Sequence, residues 1–251
     1  YLVFTPVLLQ RFMKAERSLE TMRVVWLKHD LRLADHAPLM EAVAHGDDLL
    51  LLYVVEPERL DQPDESMLHV AWDLANARTL LARVEALGGT MHIRTGRPEQ
   101  VLQNLQDTSA IVSLHSHEET GLQWSWERDK RVMAWCEAND TVWHEHPWNG
   151  VVRRLTDRDR WNSIRNRRMV EPVLEAPARL PSHSNLTCVD ETKGVFPCYN
   201  DLVKTPLEAG EPAAHAWLDS FLSTRFGDYL PTISNPATSP DGSSRLSLIH
   251  I

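Results

Sequence analysis

The sequence predicts an α/β fold, a five-stranded, doubly wound parallel sheet followed by a linker and a truncated α-helical segment, and three observations predict it. Between Met22 and His146, short apolar runs alternate with longer amphipathic ones, the rhythm of successive strand-helix-strand units. The apolar runs are rich in Leu and Val with no regular polar face, as strands covered by helices on both sides must be. The chain has 251 residues, 43% of them apolar, which is enough for one full core and part of another.

The elements follow in order. Residues 1–21 read as an amino-terminal extension, helical through Glu20, with Met22 as the natural start. Tyr1 to Gln10 is apolar but too short to span a bilayer, and it lacks the basic flank and cleavage site of a secretory signal. Residues 22–150 form the α/β domain. Its strands are Arg23 to Leu27, Leu49 to Val55, Thr90 to Arg94, Ala110 to His115 and Thr141 to His146. Its helices are Ala37 to Ala44, Ser66 to Leu87, Pro98 to Leu105 and Gln123 to Asn139, with Leu74, Ala77, Leu81 and Val84 at helical spacing in the second. Ser66 is placed to cap a helix start, Gly88-Gly89 to end that helix, and Pro98 to open the next.

After Gly150 the composition changes. Arg153, Arg154, Arg158, Arg160, Arg165, Arg167 and Arg168 lie close together, opposed by Asp157 and Asp159. This reads as a solvated helix whose arginines pair with acidic neighbours, in preference to a polyanion-binding surface. From Pro172 to Pro206, prolines and polar residues dominate, so residues 151–206 are an arginine-rich segment and linker. Residues 207–251 hold a helical run, Ala213 to Phe226, with Ala214, Trp217, Leu218, Phe221 and Leu222 recurring at helical spacing. The chain then stops at Leu248-Ile249-His250-Ile251, as a truncated sequence does.

In an open parallel sheet, ligands bind outside the carboxyl ends of the strands, where the strand order reverses. The first strand ends in Lys28, His29, Asp30 and Arg32; the fourth in His115, Ser116, His117, Glu118 and Glu119; the fifth in His144, Glu145 and His146. Period two places each His-x-His pair on one face, as zinc requires, but strand-end histidines ordinarily find hydrogen bonds, and no metal is assigned. Trp124, Trp126, Trp135, Trp143 and Trp148 read as packing residues. No GxGxxG and no P-loop follows a strand, which removes the usual dinucleotide and nucleoside triphosphate sites. The net charge of −9 confines any nucleic-acid contact to a local patch. Cys136, Cys188 and Cys198 form no CxxC pair and suit a reducing, cytoplasmic setting.

Two motifs carry a resemblance. Trp26-Leu27-Lys28-His29-Asp30-Leu31-Arg32 is similar to the Trp-(Phe/Leu)-Arg-x-Asp-Leu-Arg signature that opens the antenna domain of the cryptochrome/photolyase family, with Lys28 replacing the first Arg. Gly210-Glu211 followed by a helix, then Arg225, Tyr229, Asn235-Pro236 and Asp241 to Ser247, resembles the entrance to that family's flavin domain. The resemblance implies a Rossmann-like antenna domain over residues 22–150. It implies FAD contacts at Tyr229, Ser243, Ser244, Arg245, Leu246 and Ser247, and an antenna-chromophore pocket at Lys28, Asp30, Arg32, His117 and Glu118. The chromophore would be folate, deazaflavin or flavin.

The implied parent is a DNA photolyase that splits pyrimidine dimers in damaged DNA with an electron from light-excited reduced FAD. It would be a cytoplasmic monomer without a membrane anchor. No residue of this chain is implied as catalytic, and most flavin contacts would lie beyond Ile251, so the fragment is expected to be inactive and to hold FAD weakly or not at all. A cryptochrome-type light sensor shares both motifs. A nucleotide-binding or metal-dependent α/β module is the remaining alternative.

Overall fold

The apolar runs become strands within two residues of their expected limits, because each is long enough to cross a core and is bounded by a charge cluster, a helix cap or a glycine. The computed structural model describes residues 20–244 apart from residues 47, 149 and 205. The strands are β1 (Thr21–Leu27), β2 (Leu49–Val55), β3 (Met91–Thr95), β4 (Ala110–His117) and β5 (Val142–His146), joined by a short β6 (Val189–Asp190). They lie in the order β5-β4-β1-β2-β3-β6, and every pairing is parallel.

Alternation along the strands divides the core into two layers. Val25, Leu27, Leu51 and Tyr53 face one side, under Leu39 of α1 (Ala37–Ala44) and Val70, Leu74 and Ala77 of α2 (Met67–Ala86). Val24, Trp26, Leu50 and Leu52 face the other, under Val101 and Leu102 of α3 (Pro98–Gln106) and Val132 and Trp135 of α4 (Gln123–Ala138). Helices on both faces explain why β2 reads as seven consecutive buried residues. The expected punctuation is present: the Ser66 hydroxyl accepts from the His69 N–H at 3.3 Å, Pro98 begins α3, and Gly88 takes φ +80° after α2.

The sheet has one strand more than the five expected, and the extra one comes from the proline-rich stretch read as a linker. Val189 and Asp190 pair with His92 and Ile93, covering the outer edge of β3 that five strands would leave open. That stretch is tied down elsewhere too. Leu180 is buried in the α2-side core, its N–H donates to Leu87 O at 3.0 Å, and the Asp35 N–H donates to Leu174 O at 2.7 Å. The stretch read as a linker is thus tied to the sheet domain at Leu174, Leu180 and Val189–Asp190, while Val173 and Val195 remain exposed.

The arginine-rich run forms α5 (Trp161–Met169), which buries no residue. Arg153 makes two bonds to Glu145, at 2.7 and 3.0 Å, and Arg165 lies over the Trp161 ring. The later helical run begins two residues early, as α6 (Glu211–Ser220), and continues from Phe221 to Asp228 in looser and tighter turns. Glu211 anchors α6 to the sheet domain: its carboxylate accepts from the Leu33 and Ala34 N–H groups at 3.2 and 3.1 Å and pairs with Arg83 at 2.5 Å. Gly210 approaches α2 closely, with its N–H on Asn76 Oδ1 at 2.8 Å. The expected helix over the amino-terminal extension lies outside the described residues through position 19.

Candidate functional site

The strand order reverses between β1 and β4, since one chain half winds outward through β2 and β3 and the other through β4 and β5. Loops leaving those two neighbours diverge and leave a cleft. It contains about 240 Å³ of space, partly open to solvent, and is lined by Lys28, His29, Asp30, His117, Glu118, Glu119, Thr120 and Trp148.

Asp30 is the organising group, and it is almost fully buried. Its Oδ1 accepts the Lys28 N–H at 2.7 Å, which folds the end of β1 into a turn. Its Oδ2 meets His117 Nδ1 at 2.5 Å and lies 2.9 Å from His36 Nε2, a contact of charge and dipole without hydrogen-bond alignment. His36 uses its other nitrogen to cap α1, accepting the Leu39 N–H at 3.1 Å. Burial pushes the Asp30 carboxyl up, but His36 and His117 outweigh it and hold it well below the usual carboxylate range. Burial pushes His117 down, with Asp30 opposing. The pair therefore rests as an ionised carboxylate accepting from a neutral imidazole. The His117 ring stands edge-on to Trp148 at 4.7 Å, and the Arg32 guanidinium lies 5.4 Å from the same indole.

On the opposite sheet face, Lys28 Nζ bonds to Asp129 Oδ2 at 2.8 Å and His117 O at 3.1 Å, over the Trp26 ring. Arg128, only 2% exposed, binds Glu56 Oε1 at 2.7 Å, Asp129 Oδ1 at 2.9 Å and Glu119. Burial pushes Glu56 up despite Arg128. For Glu119 burial also pushes upward, but Arg128 and Lys28 win and hold it low. Two cations and three carboxylates thus form a buried network under the cleft floor.

Of the five pocket residues expected from sequence, Lys28, Asp30, His117 and Glu118 line this cleft. Arg32 stands behind its Trp148 wall and donates to Ala34 O and Asp35 O. Sequence reasoning missed His36, Glu56, Arg128 and Asp129. A signal existed for two of them: Arg128 and Asp129 fall on the same helical stripe as Ser125, Val132, Trp135 and Cys136, so a charged pair sits on a buried face. Among the flavin candidates, Tyr229 stands edge-on to Phe221 at 5.6 Å, and Ser243 O accepts from Arg225, whose guanidinium lies over Trp217 and Phe221. Ser244 is half-buried next in sequence, while Arg245, Leu246 and Ser247 lie outside the described residues.

The family model for DNA photolyase matches residues 23–157, more than half of the chain and all of the cleft described here. This chain belongs to the DNA photolyase family. It is 30% identical over 232 residues to the deoxyribodipyrimidine photo-lyase of Thermus thermophilus, covering 89% of this chain and 50% of that one. It is 25% identical over 174 residues to a cryptochrome DASH of Gloeobacter violaceus, covering 63% and 35%. In fold it is similar to a Synechocystis cryptochrome, with TM-score 0.76 and 19% identity over 94% of this chain and 54% of that one. The chain spans about half the length of the curated relatives it matches. No helix among the described residues is long and apolar enough to cross a membrane.

Proposed function

We propose that this chain is the antenna half, with the first flavin-domain segment, of a DNA photolyase that repairs pyrimidine dimers in damaged DNA. The observation that carries the reading is the reach of the similarity. Its sequence match to a deoxyribodipyrimidine photo-lyase, 30% identical, runs through 232 residues, beyond the sheet domain and into the helical segment; a cryptochrome matches in fold over a similar extent, and the repair assay below separates the two. The domain division proposed is residues 1–21, 22–150, 151–206 and 207–251, the third being the arginine-rich segment and an interdomain linker that is tied to the sheet domain at Leu174, Leu180 and Val189–Asp190.

Within this reading the cleft receives a second, light-gathering chromophore of the folate, deazaflavin or flavin class. The residues fit one edge of such a heterocycle. Glu118 Oε2 is buried without a hydrogen-bond partner, so it is suited to accept a ring N–H, and Trp148 offers a flat apolar wall beside it. Lys28 and Asp30 are already committed to each other and to their neighbours, so they fix the shape of the cleft. The cleft is shallow and open to solvent, so it would take one edge of such a molecule and most of the ring system would lie outside it.

FAD, when bound, supplies the light-driven one-electron chemistry, and the protein supplies position and field. In this reading its contacts in this chain are Tyr229, Ser243, Ser244, Arg245, Leu246 and Ser247, as the family resemblance implies. Enclosure by so few groups gives weak binding, so purified chain mixed with FAD should retain little oxidised-flavin absorbance after desalting.

Light-dependent repair of a dimer-containing oligonucleotide by the full-length protein tests the main reading. Restoration of intact pyrimidines under blue light is expected. Flavin photoreduction without repair would instead favour a light sensor and refute it.

A further inference from the structure

We propose that Glu41, His115 and His146 form a binding site for one divalent transition-metal ion of the Zn²⁺ class, oriented by His144 and Ser113. None of these residues lines the cleft described above.

The site follows from register and helix placement. β4 and β5 pair with His115 opposite His144, and period two puts His146 on the same face as His144. That face is covered by α1, which presents Glu41 to it. His115 Nδ1 lies 3.4 Å and His146 Nε2 2.6 Å from Glu41 Oε2, while His144 Nδ1 lies 3.2 Å from Oε1. The ligand atoms of Glu41, His115 and His146 all fall within 4.8 Å of one another.

Distances decide whether an ion fits. Nitrogen and oxygen ligands bind zinc at roughly 2.1 Å, which at tetrahedral angles separates them by about 3.4 Å. The His115 to Glu41 spacing already matches. The His146 to Glu41 contact must open by about 0.8 Å, from its present hydrogen-bond length. Both of those side chains are partly exposed, at 34% for Glu41 and 21% for His146, so they have room to move and solvent to admit an ion.

The supporting shell is built as well. Ser113 Oγ holds His115 Nε2 at 2.9 Å, which turns Nδ1 toward the carboxylate. His144 stacks on His115 with ring centroids 4.6 Å apart and planes 7° from parallel, and engages the carboxylate's second oxygen. A partner on the far nitrogen of a ligating imidazole and on the free oxygen of a ligating carboxylate is the usual orienting arrangement. Two imidazoles and one carboxylate leave a coordination position for water, and imidazole-rich donor sets suit Zn²⁺ and its neighbours over Mg²⁺ or Ca²⁺. The ion would clamp α1 to β4 and the edge strand β5.

The test is equilibrium dialysis and calorimetry of untagged protein with ZnCl₂, with the Co²⁺ visible spectrum as a report of coordination. One equivalent should bind, with a low-coordinate Co²⁺ spectrum. Glu41→Gln and His146→Gln should each weaken binding more than tenfold, and Ser113→Ala by roughly tenfold. His69→Gln, at an exposed histidine on α2, should change nothing, and circular dichroism should match wild type for every variant. Absence of stoichiometric binding, or binding unchanged in Glu41→Gln and His146→Gln, would overturn the proposal. Binding lost in His117→Gln but kept in His146→Gln would overturn it too, by placing the ion among Asp30, His36 and His117.

Discussion

Replacing Arg128 by Met removes the cation that three buried carboxylates share. Arg128 is 2% exposed and holds Glu56, Glu119 and Asp129, so the variant keeps most of the apolar stem but loses the guanidinium, its contact over Trp26 included, and leaves Lys28 as the cation beside those three groups. Breaking a buried ion pair from one side costs about 3–5 kcal/mol, because the remaining charge stays buried without its partner. In a chain of this size 1 kcal/mol moves the melting temperature by about 2–4 °C, so a fall of roughly 6–20 °C is expected. The pH dependence gives the sign. Wild-type Glu119 is held low by Arg128 and Lys28 against burial, so its stabilisation is present above its unfolded pKa and is lost as pH falls through the lower folded value. In Arg128→Met burial prevails, the carboxyls rise, and protonation relieves the defect. The stability difference between variant and wild type, measured by urea denaturation, should therefore shrink between about pH 8 and about pH 5. A deficit below about 1 kcal/mol, or one that widens on acidification, would refute the account of a shared buried cation.

Three further outcomes follow from other contacts. Glu211→Gln should loosen α6 from the sheet domain by about 1–2 kcal/mol, read as faster hydrogen exchange at the Leu33 and Ala34 amides. Burial pushes the Glu211 carboxyl up, but the Leu33 amide and Arg83 hold it low. In wild type the same amides should accordingly open as pH falls through that depressed value and stay protected above the ordinary glutamate range. Gly210→Ala should cost about 2 kcal/mol or more in thermal unfolding, since φ is +104° there and a Cβ would sit 2.5 Å from Thr79 Cγ2; Thr79→Ser should recover only the contact part. Burial pushes the Cys136 thiol up to about 12 and raises that of half-buried Cys188, whereas Cys198 is exposed, so native protein should show one fast thiol with a disulfide reagent, assigned to Cys198 by mass spectrometry.

The sheet domain was legible in the sequence because its information is local. A run such as Leu49 to Val55 has no polar face to offer water, Ser66 and Pro98 punctuate helices through their own chemistry, and the Lys28 to Arg32 cluster marks a strand end by the abruptness of its charge. Those features determined the fold class, the strand and helix limits and the general position of the cleft. What pairs with what is a property of distance in space. The edge strand Val189–Asp190 has no strand signal in two residues and exists only because β3 would otherwise expose its backbone. Asp30 meets His117 from 87 positions away, Arg128 meets Glu56 from 72, and Glu41 meets His146 from 105. The charge of each group was readable in the chain; only the packing of α1 and α4 onto opposite faces of the sheet decided which opposite charge it would be buried against, because desolvation leaves each buried ion stable only where a partner has already been placed.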